Sequence, residues 1–325
     1  METIGGIAFT IGTVALTVAF AAHVGHAVLL ANGRRLVASV AVPALAAAGA
    51  GVAATPLVTG SFIDARRRSA RAAAAVGSGD ALGSASDTPL ARPAAILTTA
   101  ALAALLVALG IRAVLVGRGP WGNLYEFSVA FATSILFGYL LIGRRYPIRT
   151  IAFLPVGVAL GLLLYASSLP QAIEPLVPAL QHPTLLTIHV GLAVLSYGIF
   201  ATSFAAGVGY LVQGRTDRFA WLPSHRTLDA VAHRAVVIGF PIFATMIILG
   251  SWWASIAWSR YWGWDPKETS ALVTWLTYAV YLHARNQRAW AGRPAAMLLV
   301  IAFGMVLVTY SGSLWFSGLH AYSGL

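Results

Sequence analysis

Eight histidines and ten tryptophans stand in a chain of 325 residues that has no cysteine. Disulfides and thiolate ligands are therefore excluded, metal ligation falls to imidazole, and any thiol in the reaction belongs to another molecule. Six of the tryptophans crowd into one stretch: Trp252, Trp253, Trp258, Trp262, Trp264 and Trp275. An aromatic belt at the membrane surface accounts for indoles at that level. The string Trp262-Gly263-Trp264-Asp265-Pro266-Lys267-Glu268 asks for more, because it runs directly into a helix start. Asp265 suits an N-cap, Pro266 the first helical position, and Glu268 the returning arm of a capping box. Capping explains only that half of the string. The indoles, with Trp258 and Tyr261 just ahead of them, offer a flat stacking surface for a planar hydrophobic ring. Arg260 and Lys267 beside them offer cations for its carboxylates.

The histidines divide by position. His189, in Leu185-Leu186-Thr187-Ile188-His189-Val190, lies a few residues inside one apolar segment, and His320, in Ser317-Gly318-Leu319-His320-Ala321-Tyr322, lies just past the last one. The orientation deduced below brings both to the level of the tryptophan loop. Two neutral imidazoles flanking a flat aromatic surface are what bis-histidine ligation of heme iron requires. His283 falls about 18 residues beyond the cap at Asp265, roughly 27 Å along a helix, deep in the bilayer or near its inner edge. An ionisable residue at that depth is a functional candidate. Ala279 and Trp275 share its face, which predicts a small gap under an aromatic lid; a histidine snorkelling to the cytoplasmic side beside Arg285 is the alternative. His23 and His26 are intramembrane candidates with less around them. His182, His225 and His233 sit in loops or at segment ends and carry no assigned role.

The elements that must position these side chains are set by composition. At 58% apolar, 10% charged and a mean hydropathy of +0.78, the chain exceeds the roughly 45–50% apolar content of soluble domains. It reads as an all-α, polytopic membrane bundle of about 8–9 transmembrane helices. Candidate spans are 4–31, 36–60, 94–117, 123–143, 148–166, 185–213, 235–258, 270–285 and 295–316, the second being weak because it is rich in Ala and Gly. The net charge of +11 sits mostly in short connections: Arg66–Arg68 with Arg71, Arg144/Arg145/Arg149, Arg215 to Arg234, and Arg285/Arg288/Arg293. These read as cytoplasmic loops and not as a nucleic-acid surface. The 167–183 loop, the 259–269 loop and the tail from Gly318 then face outward together. Residues 1–63 form N-terminal transmembrane segments, 64–93 a polar cytoplasmic linker, and 94–325 a core that includes the aromatic loop 252–275. Arg34/Arg35 would fall outside if the first two segments both crossed, so their parity stays open.

Taken together, Asn123-Leu124-Tyr125-Glu126, the His189 helix, Trp264-Asp265-Pro266-Lys267-Glu268, Leu282-His283 and Gly318-Leu319-His320-Ala321-Tyr322 resemble the CcsA/ResC family of cytochrome c biogenesis proteins (system II, called CcsB in some bacteria). That family belongs to the heme-handling superfamily named for its tryptophan-rich WWD signature, and the likeness spans roughly 120–325. Two positions depart from it: Ser259 stands where the family has Gly after Trp, and Ser270 where a Trp follows Lys-Glu-Thr. The resemblance implies heme b ligated by His189 and His320 against the tryptophan loop. It also implies an inner site at His283, completed by a histidine of a ResB/CcsB-type membrane subunit. It further implies apocytochrome c, with its Cys-x-x-Cys-His segment, as substrate of a holocytochrome c synthase (heme ligation) complex in the plasma membrane, working at the extracytoplasmic face. The alternatives are a delivery module that loads a heme chaperone, a b-type heme electron-transfer subunit, and a transporter whose tryptophans are merely interfacial.

Overall fold

The computed structural model describes residues 1–50, 88–173 and 183–320, and for 34–50, 183 and 313 the backbone alone. Residues 51–87, which hold the rest of the expected second span and most of the linker, residues 174–182 with His182, and the last five residues lie outside the described residues. Eight α-helices and no strand occur among those described: α1 Glu2–Ala50, α2 Ala91–Val116, α3 Leu124–Gly143, α4 Phe153–Ser167, α5 Pro183–Gln213, α6 His225–Trp258, α7 Pro266–Arg285 and α8 Arg293–Trp315. Seven of them are long and apolar enough to cross a membrane, so the chain is a multi-pass helical membrane protein. The eighth, α7, concentrates its charge in Lys267 and Glu268 at its start and Arg285 at its end.

Helix boundaries follow local chemistry. Asn123 caps α3 by accepting from Glu126 N at 2.9 Å, and Ser224 caps α6 by accepting from Thr227 N at 3.2 Å. From that cap α6 starts ten residues ahead of its apolar stretch, because helical backbone does not end where the bilayer does. Similarly α2 starts at Ala91, with Arg92 and Pro93 in a first turn that tolerates proline. The helix α1 runs unbroken through Gly33, Arg34 and Arg35. One glycine there costs only about 1 kcal/mol relative to alanine, and arginine is a good helix former.

Packing has to do without a strong hydrophobic drive between helices, since lipid is as apolar as leucine, so small residues and hydrogen bonds set the contacts. Helices α3 and α5 meet where a Cβ on Gly138 would come within 2.9 Å of the Gly198 carbonyl, and Ser134 Oγ donates to Val194 O at 2.7 Å. Phe200 of α5 stacks on Tyr278 of α7 at 3.8 Å between ring centres, with Phe243 of α6 edge-on to Phe200. Polar links Ser128–Tyr310 (2.7 Å) and Thr274–Thr309 (3.1 Å) fasten α8 to α3 and α7.

The bundle has two unlike ends. The starts of α1, α3, α5 and α7 and the ends of α2, α6 and α8 gather at a tryptophan end. The opposite, arginine end holds Arg144, Arg145, Arg149, Arg215, Arg218, Arg285, Arg288 and Arg293. The antiparallel pairing of α1 with α2, seen in Gly12 against Leu105 and in His26 Nδ1 with Thr88 Oγ1 at 2.7 Å, puts Gly33 at the arginine end. Arg34 and Arg35 therefore join the other arginines there, which resolves the parity of the first span.

Candidate functional site

At the tryptophan end α5 turns Leu186, His189, Val190, Ala193 and Tyr197 toward α6, a spacing of 3, 4, 7 and 11 residues that makes one helical stripe. From α6 the facing residues are Met246, Gly250 and Trp253, spaced the same way. His189 Nδ1 lies 2.9 Å from the Met246 carbonyl. A carbonyl only accepts, so Nδ1 carries the hydrogen and the ring's lone pair is on Nε2. The imidazole lies nearly parallel to Trp253, at 12° and 6.3 Å. Gly250 makes room for it: a Cβ there would stand 2.5 Å from His189 Cε1 and 2.9 Å from Nδ1.

The loop from α6 to α7 builds the capping box that its sequence predicts. Asp265 Oδ1 accepts from Lys267 N at 2.9 Å, while Glu268 Oε2 reaches back to Asp265 N (3.2 Å) and Gly263 N (2.8 Å). Asp265 has a second task that capping does not explain. Its Oδ1 accepts from His320 Nδ1 at 2.8 Å and its Oδ2 from Leu319 N at 2.5 Å, which holds the tail beyond α8 against the loop. Burial alone would raise the Asp265 carboxyl, but the His320 ring and the two backbone N–H groups outweigh it and hold it down at about 2. The clamp's contribution to stability is then fully present above the usual carboxylate range and is lost as pH falls through about 2. Asp265 also keeps the hydrogen of a neutral His320 on Nδ1, so this ring too presents its lone pair on Nε2.

His320 touches Trp258 at 4.8 Å and Trp253 at 5.8 Å between ring centres. Since His189 also faces Trp253 at 6.3 Å, the two imidazole centres lie no more than about 12 Å apart, the two ring spacings laid end to end. Both rings line one open cavity, with Trp258, Trp262, Lys267 and Glu268 in its wall. The other loop residues stand elsewhere. Tyr261 and Trp264 point outward, 66% and 69% exposed; Arg260 lies across the Gly263 backbone, and Pro266 starts α7 behind the wall.

Ser259 ends α6 in the left-handed region, φ 56°, and Trp264 shares that φ. A side chain there costs about 1–2 kcal/mol, partly offset by the freedom a glycine would have in the unfolded chain. Replacing Ser259 by Gly should thus stabilise the protein by about 0.5–1 kcal/mol, read as a higher unfolding midpoint in detergent. An unchanged midpoint would mean that the turn stores no strain.

Several wall residues escaped the sequence reading. In the sequence Trp253 stands out only as one of a cluster, and Gly250 and Met246 do not stand out; the helical spacing of 246, 250 and 253 is the available signal. Trp121 was missed because it lies on a loop. Its indole packs over Gly191 and against Gly119, on a turn held by Glu126, which is 1% exposed. Glu126 accepts from Gly122 N (2.7 Å), Arg112 Nε (2.8 Å) and Arg118 Nη1 (3.0 Å).

His283 is not part of this assembly. It stands at the arginine end of α7, exposed on the outer surface, in a groove with Leu276, Ala279, Val280, Gln287 and Trp290. Trp275 does not roof it: that indole stacks on Phe240 at 5.1 Å and 14°. Among the other histidines, His23 and His26 are buried between α1 and α2 near the arginine end, His23 Nε2 lying 3.0 Å from Thr98 Oγ1, and His225 meets Asp217 there at 3.1 Å.

Comparison with known proteins places the chain. The family described as "Cytochrome C assembly protein" matches residues 121–320. The "Cytochrome c biogenesis protein CcsA" of Synechococcus elongatus is 33% identical over 267 residues, 66% of this chain and 82% of that one. The proteins of the same name from Guillardia theta and Porphyra purpurea are 32% and 31% identical, covering 70% and 71% of this chain and 84% and 87% of theirs.

Proposed function

From the premise that this chain belongs to the cytochrome c assembly protein family and works in cytochrome c biogenesis as a multi-pass membrane protein, we propose that its tryptophan end holds heme b and presents it for attachment to apocytochrome c. The observation that carries this reading is the convergence of His189 and His320. They come from distant parts of the chain, face the same indole, line the same cavity, and each has its Nδ1 hydrogen engaged by an acceptor. Such an arrangement leaves Nε2 as the ligating nitrogen of both rings.

The cavity suits this cargo. Its walls supply flat indoles for the macrocycle, and Lys267 supplies a cation for a propionate, with Arg260 a second candidate nearby. The buried Nε1–H groups of Trp121 and Trp253 find no acceptor among the described residues, which leaves two donors in the same walls. Heme would bring two vinyl groups across which the thiols of a Cys-x-x-Cys-His segment add. The chain's own part is position. Its histidines fix the iron, its indoles fix the ring plane and hold water off, and its lack of cysteine keeps it from competing for the vinyls.

By the same reading, residues 94–325 form the heme-handling core, and the arginine end faces the cytoplasm of a plasma-membrane protein. The outward face of His283 leaves an inner site to be completed by a second molecule, a role that suits a ResB/CcsB-type subunit. Catalysis of the thioether bonds then belongs to the pair.

The walls provide the test. Purified with that subunit, the protein should show the Soret band of bis-histidine heme. Trp258→Ala and Trp262→Ala should each remove a stacking face worth a few kcal/mol and lower heme occupancy, whereas Trp264→Ala, outside the cavity, should not. If all three variants keep full heme, the tryptophans form an interfacial belt and the proposal fails.

A further inference from the structure

We infer that His320 is the exchangeable ligand and His189 the fixed one, so that an incoming imidazole takes the place of His320; the inference rests on the heme reading above. The two histidines are mounted differently. His189 sits within α5, which Ser134 and the Gly138–Gly198 contact press onto α3. Its Nδ1–H is bonded to a backbone carbonyl of α6, its ring lies parallel to Trp253, and the α6 backbone at Gly250 is packed directly beneath it. Moving that imidazole away from the cavity means moving α5 against α6.

His320 lies five residues beyond Trp315, where α8 ends, on a segment of bends and turns. A single carboxylate, that of Asp265, accepts both from its ring and from Leu319 N. Gly318 sits so close to Asp265 that a Cβ there would clash with the carboxylate, so the tail is fitted to its catch by a small residue. Withdrawing the ring parts it from Asp265, Trp258 and Trp253 by rotations about bonds between Phe316 and Leu319, with no helix moved against another. Asp265 is on this account a positioning residue: it aims the ligand and does not itself meet the cargo.

The exchange balances without redox chemistry. The bond from iron to His320 Nε2 breaks as one to the incoming imidazole nitrogen forms, no electrons are transferred, and His320 leaves neutral with its hydrogen on Nδ1. Because the histidine of a Cys-x-x-Cys-His segment adjoins its thiols, the tail side is also the side on which the peptide is held, and His189 lets go last.

A chain without cysteine permits a clean test with cyanide as the competing ligand. Single variants Leu319→Cys and Ile188→Cys, each heme-loaded and purified with the partner subunit, are labelled with a maleimide before and after cyanide. Formation of the cyanide complex should accelerate labelling at position 319 by roughly tenfold or more, the factor that release of two net hydrogen bonds implies, and leave position 188 unchanged. Hydrogen exchange of the 316–320 segment in the unsubstituted protein should rise in parallel and serves if Leu319→Cys folds poorly. A cyanide complex formed with position 319 still protected, a rise confined to position 188, or a site that resists cyanide altogether would each overturn the assignment. A wild-type spectrum without bis-histidine heme would instead remove the underlying reading, and this inference with it.

Discussion

Cells that depend on this protein for cytochrome c maturation should make no holocytochrome above background when they carry His189→Ala or His320→Ala. On the proposed ligation, each substitution removes one of the two nitrogens offered to the iron and leaves a gap the size of an imidazole in the wall. The surrounding shell is built to hold a ring in that gap: the Met246 carbonyl and Trp253 remain on one side, Asp265 and Trp258 on the other. Added imidazole should therefore restore part of the activity and the six-coordinate spectrum. Rescue should be weaker for His189→Ala, where the added ring must enter between two packed helices, than for His320→Ala at the tail. Both variants should retain wild-type membrane levels, since neither ring carries the contacts between α3, α5 and α7. Wild-type holocytochrome in either one would dissolve the ligand assignment.

How much of this site could be read from the sequence depended on whether a residue's partners were near it in the chain. The Asp265–Glu268 box was fully legible, because capping is a matter of three or four consecutive residues. The level of His189 and His320 was legible through helix length and the distribution of arginines. Which tryptophans face inward was not: Trp262 and Trp264 differ by two positions on an irregular loop, where no periodicity exists, yet one lines the cavity and the other is 69% exposed. The link from Asp265 to His320 spans the whole of α7 and α8 and leaves no trace in spacing. In the fold, hydropathy located seven of the nine candidate spans; 270–285 forms α7, which is not apolar enough to count, and 36–50 continues α1 past Arg34 and Arg35, which was hidden because charged residues mark the end of a membrane segment without ending a helix. The fit of Gly250 beneath His189 belongs to packing between α5 and α6, which one sequence does not display.

The same distinction governs what is expected at the other end of the bundle, where His283→Ala should empty both the inner site and the tryptophan-end site. His283 is on one helix with the capping box, so it lies roughly 27 Å along the helix from Asp265, which holds His320, at about 1.5 Å per residue. Its level is marked by Arg285, the second residue after it, bonded to Asp229 at 2.5 Å. In its groove, His283 Nε2 lies 2.7 Å from Gln287 Nε2, so the amide donates to the ring and must turn aside before iron can bind there. The groove's other walls are apolar side chains and Trp290. If heme is taken up at this end and carried outward, a protein without His283 receives none at either site, whereas His189→Ala keeps the inner site filled. The order of loss is the readout: heme per protein in His283→Ala, His189→Ala and the double variant, each purified with the partner subunit, the two sites distinguished by their spectra. Gln287→Leu, which frees Nε2 without removing it, should load at least as well as wild type. A His283→Ala protein that carries tryptophan-end heme at the wild-type level, with no imidazole added, would mean that heme reaches the outer histidines by a route that bypasses α7.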